Sequence, residues 1–163
     1  MKILSVLAIF YFICLPVQSE SLSILDYEER VWNGMNQYKA KNFEKAYKTF
    51  DKMSKWGDKY SQYFLGNMYI SGQYVTQDLI EGAAWLSLAG EAKDEWKESA
   101  DQIFNILTDD EKAEVNVLIS KYKKLYGMTT QKISCFRKAR TGTRLKAWGC
   151  TKQRGTYAGN TIL

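Results

Sequence analysis

Asn42-Phe43-Glu44-Lys45-Ala46 is answered from position 78 by Asp78-Leu79-Ile80-Glu81-Gly82, an offset of 36 residues. The alignment holds beyond these blocks, with Phe50 against Leu86 and Met53 against Ala89. A rhythm of this length is the size of a helix–turn–helix unit in a solenoid. Inside the units the apolar spacing is helical. Ser61, Phe64, Leu65 and Met68 fall at i, i+3, i+4 and i+7, and Leu79, Gly82, Ala83, Leu86 and Ala89 continue the pattern. Asn42 and Asp78 stand where side chains can accept the orphan N–H groups of a helix start. Gly66, Gly82, Ala83 and Gly90 are small enough to let helix axes approach closely.

Working outward, Ile24, Tyr27, Val31, Met35 and Tyr38 form one helical face before the first cap. After the second repeat, Trp96, Ala100, Ile103, Phe104 and Leu107 make another stripe. Thr108-Asp109-Asp110-Glu111 reads as a capping box opening a further helix. That helix carries Val115, Leu118, Ile119, Tyr122 and Tyr126 on its apolar side, with Gly127 placed to stop it. The expectation is an all-α body, a short α-solenoid of antiparallel helix pairs with about six helices between Leu22 and Tyr126.

Composition narrows the chemistry. The 163 residues carry 23 Lys or Arg against 18 Asp or Glu, a formal charge of +5, and contain no histidine. Serine–histidine and cysteine–histidine nucleophile systems and His-dependent zinc sites are thereby excluded. The one proline, Pro16, lies near the start, so nothing beyond it interrupts a helix as proline does.

Met1-Lys2, the apolar run Ile3–Leu15, Pro16 and the small exit Val17-Gln18-Ser19 describe a secretory signal peptide, residues 1–19, cut after Ser19. A buried N-terminal helix is the plainer alternative. A lipid-attached Cys14 fits less well, because Ile13 precedes it. Cleavage leaves Cys135 and Cys150, and an even pair in an exported chain is most simply a disulfide, against two reduced thiols if the chain stays in the cytosol. The expected location is periplasmic or secreted.

Residues 20–128 form the helical domain, with 14 basic against 18 acidic residues, a net charge of −4. Residues 129–163 form a tail with eight Lys or Arg and no acid. Thr141-Gly142-Thr143 lies near the middle of the Cys135–Cys150 stretch, which reads as a basic β-hairpin or loop closed at its base by the disulfide. Phe136, Trp148 and Tyr157 interleaved with the charges would suit nucleic acid, but export leaves proteins, anionic surfaces and polysaccharides as partners. The contacts expected of this patch fall on Arg137, Lys138, Arg140, Arg144 and Lys146. A tail docked on its own acidic body and a solvated tail are the competing readings.

The run Leu65-Gly66-x-x-Tyr69-x-x-Gly72-x-Tyr74-Val75-x-Gln77-Asp78, followed by Trp85 and Ala89, resembles the Sel-one-like repeat, a relative of the tetratricopeptide repeat. The chain departs from that pattern in carrying Tyr74 for the second loop glycine, Gly82 for an alanine and Gly90 for the second of two paired alanines. The likeness runs from about Asn42 to Gly90. It implies a superhelix of antiparallel helix pairs and a role as a protein-binding adaptor. The tail resembles a short Cys…Thr-Gly-Ser/Thr-Arg…Cys motif at the ends of small exported bacterial proteins.

Ser120 and Lys123 have the Ser-x-x-Lys spacing of penicillin-recognising enzymes, but no Ser-Asp-Asn or Lys-Thr-Gly partner occurs in the chain. Cysteine-rich relatives of these repeats associated with penicillin binding carry a cysteine pair in every repeat, and this chain has none inside its helices. An aromatic line, Tyr60, Tyr63, Asn67 and Ile70, runs beside the core stripe, and Tyr27 and Val31 take the equivalent places one period earlier. Tyrosine with one amide suits protein recognition, and the same residues would equally serve as packing. The expectation is therefore a non-catalytic exported repeat protein that binds another, unidentified protein in the envelope as adaptor, regulator or immunity-type protein. The alternative is an envelope hydrolase, penicillin-binding or glycan-acting. No cofactor, metal or nucleic acid is implied.

Overall fold

The computed structural model describes residues 23–139 and 146–152. Among these, six helices precede two strands: α1 (Ile24–Lys39), α2 (Phe43–Lys55), α3 (Lys59–Ser71), α4 (Leu79–Ala89), α5 (Asp94–Ile106), α6 (Asp109–Tyr126), β1 (Ile133–Ala139) and β2 (Lys146–Lys152). Each helix packs on the next through α5, and α6 returns to lie along α4 and touch α2. The residues proposed as the export signal, and the Thr141-Gly142-Thr143 turn, lie outside the described residues.

The caps explain most helix starts. Ser23 accepts from the Asp26 N–H, Asp58 from Ser61, and Asp78 from both Ile80 and Glu81. Thr108 and Glu111 form the reciprocal capping box. Asn42 differs from expectation: it occupies the cap position of α2 but its side chain accepts no cap bond. Gly127 differs in mechanism. Its φ is −69°, so no left-handed turn is needed; a side chain there would instead meet the Lys123 carbonyl, 2.5 Å away.

Between α3 and α4 the axes close on two glycines. A Cβ at Gly66 would lie 2.9 Å from Leu86 Cγ and 3.0 Å from the Gly82 carbonyl, and one at Gly82 would lie 2.5 Å from Ile70. The main core gathers around this contact: Ala46 and Phe50 of α2, Leu65 and Met68 of α3, Ala84, Trp85 and Leu88 of α4, and Tyr122 of α6. Trp85 stacks on Tyr122 at 4.4 Å, and the Tyr122 hydroxyl donates to the Glu81 carboxylate, so α6 is fixed by ring and hydrogen bond together.

The loop from α3 to α4 shows how the departure at Tyr74 is accommodated. Gly72 takes φ +63° and Tyr74 takes φ +71°, a left-handed backbone that costs a non-glycine residue about 1–2 kcal/mol. The Tyr74 ring lies 5.5 Å from Tyr47, which recovers part of that cost. The loop keeps a glycine-like path with a tyrosine in it.

Gly66→Ala is expected to destabilise the chain. Helix propensity gains about 1 kcal/mol, but overpacking costs about 1–3 kcal/mol where Leu86 and the Gly82 carbonyl cannot retreat. Thermal unfolding followed by circular dichroism should show a Tm lowered by about 4 °C; an unchanged or raised Tm would show that α3 and α4 can separate freely.

Candidate binding cleft

The site is built from the α2–α3 turn upward. Gly57 sits in that turn at φ +88°, and a Cβ there would lie 2.6 Å from Ile133 Cδ1. Only glycine supplies both this backbone and this room. Trp56 before it is buried with Val31 and Met53, and Tyr27 stacks on it at 6.4 Å. The Tyr27 hydroxyl donates to Asp58 Oδ2 at 3.1 Å, and Asp58 also accepts from the Ser61 N–H. Burial pushes the Asp58 carboxyl above its usual range, against the lowering effect of these bonds.

The hairpin lies face-down on this turn. Ile133↔Lys152 and Cys135↔Cys150 are register partners, and the two cysteines form a disulfide. The disulfide packs beside Ala89, Ala92, Trp96, Tyr60, Tyr63 and Met128. Lys152 reaches under the turn, donating to the Trp56 carbonyl at 2.9 Å and to Gln131 Oε1 at 2.8 Å. Burial lowers its amine to about 8. Tyr60 donates to the Trp148 carbonyl at 3.2 Å. The described part of the tail therefore docks on the helical body, one of the readings its charge allowed.

Between α1, the turn and β2 remains a cleft of about 510 Å³. Tyr27, Val31, Trp32, Met35, Tyr60 and Ile133 give it apolar walls, and Glu28 and Asp58 stand among them. Trp32 is 57% exposed. Behind this wall, the Lys59 ammonium is wholly buried. It donates to Gln62 Oε1 (2.9 Å), the Leu88 carbonyl (3.0 Å) and Glu91 Oε2 (2.8 Å). Gln62 passes the connection to the Ser54 and Tyr126 carbonyls, and Glu91 also accepts from the Met128 N–H. Burial holds the Lys59 amine below its ordinary range despite the attraction of Glu91.

Three of the six residues singled out in sequence, Tyr27, Val31 and Tyr60, meet at this cleft. The other three lie elsewhere. Tyr63 stacks on Trp96 at 4.9 Å, Asn67 donates to the Tyr63 carbonyl, and Ile70 packs over Gly82. Trp32, Lys59, Gln62 and Glu91 were not singled out; the position of Trp32 one helical face away from the Val31 stripe was the available signal. In the basic tail, Arg137 is exposed and lines a pocket with Asp94 and Glu95, and Lys138 and Lys146 lie within β1 and β2. Arg140 and Arg144 fall outside the described residues. Ser120 donates to the Asn116 carbonyl, as a helical serine does, and is not bonded to Lys123. Among the described residues no group of three or more His, Cys, Asp or Glu could hold a metal ion, and no helix is long and apolar enough to cross a membrane.

No known family profile matches the chain, nor does any curated protein. Among solved structures, the crystal structure of c5321, a protective antigen present in uropathogenic Escherichia coli strains displaying an SLR fold, is similar. The TM-score is 0.58 at 19% sequence identity, covering 72% of this chain and 27% of that one. The helical body has the SLR fold. This chain spans little more than a quarter of that protein's length, and the likeness is one of fold alone. The disulfide belongs to an oxidising compartment.

Two outcomes follow from the buried amines. Lys59→Met should cost about 3–5 kcal/mol, because it strands the Glu91 carboxylate and two acceptors; denaturant unfolding would measure it, and a loss below about 1 kcal/mol would show the network is incidental. For Lys152, the docked amine gives up its proton near pH 8 and the undocked one near the ordinary lysine value of 10.5. Docking should strengthen as pH rises from about 8 to 10.5 and level off at its weakest below about 8, where the amine is protonated in both states. Exchange of the hairpin amides, corrected for intrinsic rates, should show this in the parent chain and not in Lys152→Met.

Proposed function

We propose that the chain is a non-catalytic member of the Sel-one-like repeat family, exported into the bacterial envelope, and that it docks another protein in the cleft between α1 and β2. The cleft carries this reading. A concave apolar site of about 510 Å³ with aromatic walls and few charges is what a recognition pocket requires. The exposed Trp32 indole at its mouth has the character of a binding anchor, large in area and low in rotamer cost. The SLR fold supports a scaffold role, since such folds present rigid surfaces and not reaction centres. The disulfide and the apolar run Ile3–Leu15 support export. The basic tail, with eight Lys or Arg and no acid over residues 129–163, would steer the chain toward an acidic partner or an anionic surface.

Photo-cross-linking in intact cells tests this. A photoreactive residue at position 32 should trap a discrete protein adduct, while one at Ile106, exposed on α5 away from the cleft, should not. Equal trapping at both positions, or none at 32, would remove the cleft from the interaction.

A further inference from the structure

Besides the face it buries, α1 carries an exposed stripe. Leu25 stands seven residues before Trp32, Glu28 and Glu29 four and three before it, Asn36 four after and Lys39 seven after, and all are exposed. Residues at these offsets share one helix face. Trp32 borders the cleft, Leu25 is 77% exposed, and the Lys39 ammonium lies over the Trp32 ring at 5.8 Å. Arg30, two residues from Trp32, belongs to another side of the helix. The stripe is therefore acidic toward the start of α1, apolar at its middle and basic at its end.

α6 repeats this order on its own outer side, away from the buried Val115 and Tyr122. Counted from Val117, Asp110 comes seven residues before, Ala113 and Glu114 four and three before, Ser120 and Lys121 three and four after, and Lys124 seven after, all exposed. Here the middle is small where that of α1 is large. A shallow groove of about 690 Å³ runs from Val117 to Leu125, lined by α6 alone, so no other described element covers it. Because α1 packs on α2 and α6 chiefly on α4, the two stripes terminate opposite ends of the helical stack.

Resting on the docking reading above, we infer that the partner at the Trp32 face is a second copy of this chain, which lays the outer side of its α6 antiparallel along α1. With Trp32 opposite Val117, Glu28 and Glu29 meet Lys121 and Lys124, and Lys39 meets Asp110 and Glu114. Each of these charges then faces its opposite, and antiparallel axes bring unlike helix ends together. The indole enters the α6 groove, a large side chain against small ones. Pairing α1 with a second α1 would set two glutamates against one lysine that already covers an indole. Pairing α6 with a second α6 would leave Trp32 and Leu25 in water. Exposed ion pairs add little energy, so the charges fix direction and register while the indole supplies the area. The joined faces are unlike, so every added copy leaves one of each kind unused and the contact propagates head to tail.

Sedimentation velocity on the oxidised chain tests this. The sedimentation coefficient should rise with concentration between about 1 µM and 1 mM and pass that of a dimer. Two surface variants, one with Glu28→Lys and Glu29→Lys, the other with Lys121→Glu and Lys124→Glu, should keep the parent circular dichroism and each associate at least about tenfold more weakly. An equimolar mixture of the two should assemble again, because each restores the opposite charge to the other, and so should a chain carrying all four changes. Trp32→Ala should weaken assembly about tenfold without altering the pattern of charge rescue. A parent chain that stays monomeric would overturn the inference. An unaffected Lys121/Lys124 variant would overturn it in favour of α1 on α1, and an unaffected Glu28/Glu29 variant in favour of α6 on α6. The mass of the adduct trapped at position 32 separates the two readings: twice the chain supports both, a different protein removes self-assembly alone, and no adduct removes the docking reading as well.

Discussion

One buried ammonium organises the molecule. Lys59 begins α3 with its head inside the protein, and its three donors go to a side chain on its own helix, a carbonyl at the end of α4 and the Glu91 carboxylate. An ammonium has three protons to place, and all three are placed. Removing such a charge from water is costly, so the arrangement is tolerated only because every partner is present at once. The consequence is positional. The start of α3, the end of α4 and, through Gln62 and Glu91, the segment leaving α6 are fixed relative to one another. The cleft and the hairpin both stand on that junction.

Much of the helical body was legible because its signals are local or periodic. The 36-residue offset set the helix pairs, and the capping box at Thr108 and the Asp78 cap are spelled out within four residues. Gly66 and Gly82 announced close packing and deliver it. Asn42 shows the limit of such reading: the residue type fits a cap, but whether its side chain turns toward the helix depends on geometry that sequence does not carry. Lys59 and Gln62 were illegible for a related reason. At i and i+3 on a helix they look like a solvated polar face, and nothing local reveals that the end of α4 covers them. Burial of a charge is a tertiary fact.

The candidate surface was partly legible for the same reason. Periodicity placed Tyr27, Val31, Tyr60, Tyr63, Asn67 and Ile70 beside the core, and could not say which would be covered by other parts of the chain. The hairpin and α5 decide that. They close over Tyr63 and leave Tyr27 and Tyr60 at an opening. A tail read chiefly by its charge proves to matter through shape: Ile133 fits against Gly57, and a lysine counted among eight basic residues is buried beneath the turn. The disulfide contributes about 3 kcal/mol in the chain-entropy picture and holds the two strands in the register that lines the cleft.

Gly57 carries an implication for the order of assembly. The seat that receives the hairpin is shared among distant segments: the bare backbone of one turn, alanines at the end of α4 and beyond it, an indole of α5 and the stretch leaving α6. None of these surfaces exists until the helices have come together. The two thiols are therefore brought face to face by a body that is already formed, and oxidation records the architecture instead of guiding it. The helical part would be complete first and the hairpin sealed afterwards, so that the wall β2 gives to the cleft would be the last element to mature.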